Sequence, residues 1–273
     1  MEYSIRPLSF AEILDRAFRV LADNAVLLIG IAAPLGIAEA ALRGPGRWLP
    51  LVFLLVAMVG GPFVQAALTS AVAETYLNKP VNIASAYKSV WLIVLPFFGT
   101  CLLIYALFAL GIGVIASIGF AFKSVHSKTL ALIFIVMIIA AMPVTLYLMV
   151  RWSLLGPVMI VERRFGLAAI RRTSNLVLGV WWRTLGILLV AAIIVRLPLG
   201  VLGLLWSSIP VVGAVLTGLV TAIGYAYSAV VLIVYYFDRR CRLEDFDLRL
   251  LAEQIRSESL QGIPAMTGAP SLE

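Results

Sequence analysis

The residues with the most chemistry in this chain are arginine and glutamate, and they gather in one stretch. Positions 151 to 183 read RWSLLGPVMIVERRFGLAAIRRTSNLVLGVWWR and hold six of the chain's 17 arginines. Arg151, Arg171, Arg172 and Arg183 are candidates to hold a lipid phosphate, because guanidinium is permanently charged and donates in a planar fork. Glu162 is the candidate to set their geometry, or these side chains instead contact a partner protein. Glu162 stands eleven residues after Arg151, about three helical turns, so the two share a face if Pro157 does not divert the helix. The plainer account of the same arginines is anchoring at a membrane exit with local ion pairs. A second candidate is Arg196, placed inside an apolar run and roughly 21 Å along a helix from Trp182. It lines a functional pocket, pairs with Glu39, or snorkels to the nearer headgroups.

Other chemistries lack their residues. There is no HExxH, P-loop or GxSxG pattern, and no spaced cluster of Asp, Glu and His. His126 is the single histidine, and Cys101 and Cys241 fall in different environments, which argues against a disulfide or a paired-cysteine metal site. No catalytic residue, metal site or cofactor is expected. The net charge of +7 resides at the ends of apolar runs rather than on a polar face, so nucleic acid is not the expected partner.

The elements that position these residues are membrane helices. The 273 residues are 62% hydrophobic and 13% charged, whereas globular domains are about 25% charged. Six apolar segments, near 25–42, 50–76, 91–120, 129–150, 184–206 and 209–235, each suffice to cross roughly 30 Å of hydrocarbon. Lipid offers no partners to backbone amides, so these segments are expected as helices. The fold class is therefore all-α: a polytopic membrane protein with six transmembrane helices in three hairpins. Sixteen Lys and Arg fall in the two ends and alternate loops against four in the others, which puts both termini in the cytoplasm. The leading residues are too acidic for a removable signal peptide, so the first apolar segment is expected to stay as a span.

Residues 1–24 read as an amphipathic interfacial helix. Ser9 and Glu12 form a capping box, and Leu8 and Ile13 stand at staple positions. Phe10, Ile13, Leu14, Ala17, Phe18 and Leu21 make an apolar stripe that lies on the bilayer or packs on the spans. Similar helical stretches at 82–90 and 167–180 each precede an odd-numbered span, a loose repeat with three cytoplasmic surface helices. The spans occupy 25–238, a basic tail helix capped by Asp247 follows at 239–256, and a disordered tail at 257–273. Prolines 34, 62, 96, 143, 157, 198 and 210 are candidate helix breaks. Gly218, Ala222 and Ala226 form a small-residue stripe for close packing, as do Gly113 and Ser117. The apolar segment through Arg151 is too long for the bilayer, so 152–161 is expected as a shelf under the headgroups, turned by Gly156-Pro157.

Four stretches together carry a resemblance: RPLSFAEILDRAFRVLADN, AVAETYLNKPVNIASAY, RWSLLGPVMIVERRFGLAAIRRTSNLVLGVWWRTLGILL and YYFDRRCRLEDFDLRL. In order and placement they resemble the bacterial integral membrane family called the glycerophosphoryl diester phosphodiesterase membrane domain, related to YciC-like membrane proteins. The resemblance covers the chain to about residue 256. It implies a six-helix protein of the bacterial cytoplasmic membrane. In that family the domain is sometimes fused to a soluble phosphodiesterase domain, whose histidines and metal-binding carboxylates have no counterpart here, so that activity does not carry over. The expected role is non-catalytic, in envelope or lipid-linked processes, through an arginine-rich cytoplasmic face that binds anionic lipid or a partner protein. The alternative is a small-solute transporter or channel built on proline-broken helices and Arg196.

Overall fold

The computed structural model describes residues 6–42, 49–77, 79–125, 128–206, 210–248 and 252. Every regular element among them is helical. In chain order they are α1 (Phe10–Asp23), α2 (Ala25–Ala41), α3 (Leu49–Leu55), a π-turn (Val56–Gly60), α4 (Gly61–Tyr76), α5 (Ile83–Trp91), α6 (Val94–Val125), α7 (Lys128–Arg151), α8 (Leu155–Val161), α9 (Gly166–Val177), α10 (Trp181–Trp206) and α11 (Pro210–Glu244). Five helical stretches are long and apolar enough to cross a membrane, and six if α1 and α2, which meet at 87°, count as one bent span.

Proline placement explains where the helices stop. A proline lacks the amide that its i−4 carbonyl needs, and its ring crowds that carbonyl. Pro157 thereby opposes continuation through Ser153, and the chain turns at 152–154 before α8 resumes. The turn thus precedes Gly156-Pro157 instead of falling on it. Pro96 acts likewise on Leu92, separating α5 from α6, and Pro62 acts on Met58 inside the π-turn. The carbonyl of Met58 accepts from the Tyr105 hydroxyl at 3.4 Å instead. By contrast, Pro34, Pro143 and Pro198 sit inside continuous helices, so the breaks expected there are absent.

The core is built by α2, α4 and α11. A β-carbon at Gly218 would stand 2.9 Å from Ile37 Cα and 3.0 Å from the Gly36 carbonyl, and Ala222 lies against Gly36. The small residues let the α2 and α11 backbones touch, as expected for the 218–226 stripe. The Gly113 and Ser117 stripe does not do this. Gly113 has open space around it and Ser117 is exposed, because α6 and α7 pack mainly on each other. Their outward leucines, isoleucines and methionines, such as Leu110 and Met142, are bare, which suits a lipid solvent.

The capping box of α1 forms as its sequence dictates: Glu12 N donates to Ser9 Oγ at 3.3 Å and Ser9 N to Glu12 Oε2 at 2.7 Å. Leu8 and Ile13 are both buried. Of the two surfaces open to its apolar stripe, α1 takes the protein. Ile13, Ala17 and Leu21 are buried, Phe18 meets the Tyr227 ring at 4.9 Å, and Phe10 lies on Gly186. Short helices α5 and α9 precede α6 and α10 as α1 precedes α2. Asn82 and Ser85 supply a second capping box, on α5. At the other terminus, α11 runs unbroken to Glu244 and stops at Asp245, where φ is +49°. Of the tail helix, 249–251 and 253–256 lie outside the described residues, as does the whole tail at 257–273.

Candidate functional site

One end of the bundle gathers the start of α1, the ends of α4 and α11, helices α5, α8 and α9, and the start of α10. This basic end is organised by two carboxylates, Asp238 and Glu162. Asp238, on α11, has a fully buried side chain. Its Oδ1 accepts from Leu8 N at 2.8 Å and from Arg242 Nε at 2.9 Å, and Arg183 approaches Oδ2 at 3.2 Å. Arg183 and Arg242 each also donate to the Leu8 carbonyl at 2.7 Å. The chain just before α1 is thus clamped to α10 and α11. Beside it, buried Arg239 donates to Leu176 O at 2.8 Å, capping a carbonyl that the end of α9 leaves without a helical partner.

The second organiser is Glu162, at the end of α8. Both of its oxygens accept from Arg172 Nε, at 2.9 and 2.8 Å, and Oε1 also accepts from the Tyr236 hydroxyl at 2.9 Å. Arg172 bridges onward to Glu244, which pairs with Arg240 at 3.0 Å. The Arg240 guanidinium lies 4.0 Å over the Phe246 ring, a cation–π contact. Burial pulls Arg172 down, but the hydrogen bonds it donates to Glu162 and Glu244 outweigh it and hold its pKa above the ordinary value. Glu162, Arg164, Arg172, Arg240 and Glu244 line a cleft of about 400 Å³.

Of the residues singled out in the sequence, Glu162 and Arg172 come together as expected, and Arg183 sits in the neighbouring cluster. Arg151 does not join them. It stands just before the turn at 152–154, where it instead hydrogen-bonds Tyr147 and lies over its ring. Arg171 points outward on α9 and pairs with no described residue. Asp238, Arg240, Arg242, Glu244 and Tyr236 were missed, since YYFDRRCRLE reads as a topological basic tail. Its i,i+4 spacings, Asp238 to Arg242 and Arg240 to Glu244, were the available signal.

α9 has two unlike faces. Ala169, Thr173 and Leu176 are buried, while Leu167, Arg171, Asn175 and Leu178 recur at helical spacing on the outside. Leu167 and Leu178 are 60% and 65% exposed, and nearby Trp182 is 79% exposed. Exposed Arg163 and Arg164 precede this helix, with Arg163 at φ +55°.

The other candidate pair, Glu39 and Arg196, lies away from the basic end, with Glu39 buried near the end of α2 and Arg196 exposed on α10. The two share a cavity among α2, α10 and α11 but form no ion pair with each other. Glu39 is buried and accepts from the Tyr225 hydroxyl at 2.9 Å. Among the described residues, no group of three or more His, Cys, Asp or Glu is placed to hold a metal ion. No protein-family model, curated protein or solved structure matches the chain.

Proposed function

We propose that this chain is a non-catalytic, six-span protein of the bacterial cytoplasmic membrane whose basic end faces the cytoplasm and engages anionic lipid headgroups. The observation that carries this reading is the outward face of α9. Leucines 60% or more exposed are costly in water and ordinary at the acyl boundary, where Arg171 between them meets phosphates. Arg163 and Arg164 extend the same surface. Arg172, Arg183 and Glu162 take a different part: their ion pairs tie α8, α9 and α10 to α11, making the platform on which the exposed guanidiniums of Arg163, Arg164 and Arg171 stand. The sixteen-to-four charge bias supports the orientation, and the four resembling stretches support placement in the phosphodiesterase membrane-domain family.

Native mass spectrometry of the full chain with mixed phosphatidylglycerol and phosphatidylcholine tests this. The wild type retains phosphatidylglycerol preferentially. Arg164→Ala and Arg171→Ala each lower that preference about fivefold, since a basic residue near an anionic surface contributes about 1 kcal/mol. Unchanged preference in the double variant overturns the reading. The transporter alternative has one observation in its favour, the cavity at Glu39 and Arg196. Its premise of broken helices is weakened by the continuity of α2, α7 and α10 through their prolines.

A further inference from the structure

The cavity among α2, α10 and α11 stands apart from the basic end. Glu39 lies about 21 Å along α2 from its first residue, two residues before that helix ends at Ala41. The cavity measures about 430 Å³, a size suited to a small molecule or headgroup. For a half-open space between apolar helices its lining is unusually polar, with Glu39, Arg196, Thr217, Thr221, Tyr225 and Ser228 all contributing.

The polarity has a direction. Glu39 is 4% exposed, with Tyr225 donating to Oε1. Thr221 and Ser228 donate their hydroxyl protons to the carbonyls of Thr217 and Gly224, at 2.8 Å each. With those protons committed, the two hydroxyls can only accept in the cavity. The wall around Glu39 is thus rich in acceptors and fits a group with several N–H donors. Arg196 presents the opposite chemistry on the same cavity: a permanent cation, with no ion-pair partner among the described residues. A buried carboxylate and a separate guanidinium are both costly in hydrocarbon. One ligand with both charges offsets both costs.

We propose that this cavity binds a zwitterion bearing a primary ammonium and an oxyanion, the ammonium on Glu39 with the Thr221 and Ser228 hydroxyls, the oxyanion on Arg196. The headgroup of phosphatidylethanolamine and free phosphoethanolamine share this chemistry.

The full chain in detergent, offered equimolar phosphatidylethanolamine and phosphatidylcholine, provides the test by native mass spectrometry. Both lipids carry the same phosphate, so the arginines of the basic end do not distinguish them. Only the ethanolamine headgroup has N–H donors for Glu39. The wild type is expected to prefer phosphatidylethanolamine by about tenfold, the scale of one charge-assisted hydrogen bond. Glu39→Gln should abolish that preference, Arg196→Gln should weaken retention of both lipids, and Arg171→Ala should leave the preference intact. Titration with free phosphoethanolamine identifies the source: displacement of the lipid marks a soluble ligand, and its failure marks the lipid headgroup. A wild-type protein that neither prefers phosphatidylethanolamine nor binds phosphoethanolamine overturns the proposal, whether or not the variants fold. So does a preference unchanged in Glu39→Gln.

Discussion

Replacing Glu162 with alanine removes the hub of the basic end. The carboxylate accepts both hydrogen bonds from Arg172 Nε and one from the Tyr236 hydroxyl, and lies 3.4 Å from Arg164. Its side chain is 10% exposed and that of Arg172 18%, so solvent screens the pair only slightly. Deleting one partner of a buried pair costs about 3–5 kcal/mol, because the other is left uncompensated. Here Glu244 remains bound to Arg172, which moves the expected loss to the lower end, about 3 kcal/mol. Glu162→Gln retains one acceptor oxygen and should lose about half as much, near 1.5 kcal/mol. The assay is denaturant unfolding of the full chain in mixed micelles, followed by tryptophan fluorescence. A double-mutant cycle with Arg172→Ala isolates the coupling, expected at about 2 kcal/mol. If Glu162→Ala unfolds within about 0.5 kcal/mol of the wild type, the ordinary range for surface changes, Glu162 does not hold the platform together and the reasoning fails.

Two further predictions concern packing and capping. Gly218→Ala forces apart the touching backbones of α2 and α11 and should lose about 1–3 kcal/mol; Gly113→Ala, facing open space, should be neutral or slightly stabilising in the same unfolding assay. The amide of Ser9 and the Arg6 guanidinium hold Glu12 down at about 2. With the folded pKa depressed, the stability it lends α1 is fully present above its unfolded value, near 4.5, and is lost as pH falls toward 2. Amide exchange in α1 should rise across that window in the wild type, and the rise should flatten in Glu12→Gln.

Much of the architecture was legible because it follows from local rules. Apolar length marked the spans, and the Ser9/Glu12 spacing marked the start of α1, where both reciprocal bonds form. The spacing of Gly218, Ala222 and Ala226 marked a close helix contact, but the same rule misled at Gly113 and Ser117. A small-residue stripe states what a helix could accept; whether another helix arrives depends on the rest of the bundle. Proline misled in the same way: its position was plain, while its effect depended on whether the surrounding turns could absorb it, as around Pro34, or had to open, as before Pro157.

The site divides along the same line. Residue types and charge bias alone determined that this is a membrane chain with guanidiniums concentrated at its helix ends, since hydration and lipid solvation act on each residue wherever it folds. They also picked out Glu162, Arg172, Glu39 and Arg196. The tertiary structure decided which arginines are consumed and which remain free. Arg172 and Arg183 are taken up by carboxylates, two of them (Asp238 and Glu244) on α11, more than fifty residues distant in sequence, while Arg171 stays outside and Arg151 turns to Tyr147. Ion pairing acts over a few ångströms, and only the folded bundle sets distances that short between residues so far apart along the chain.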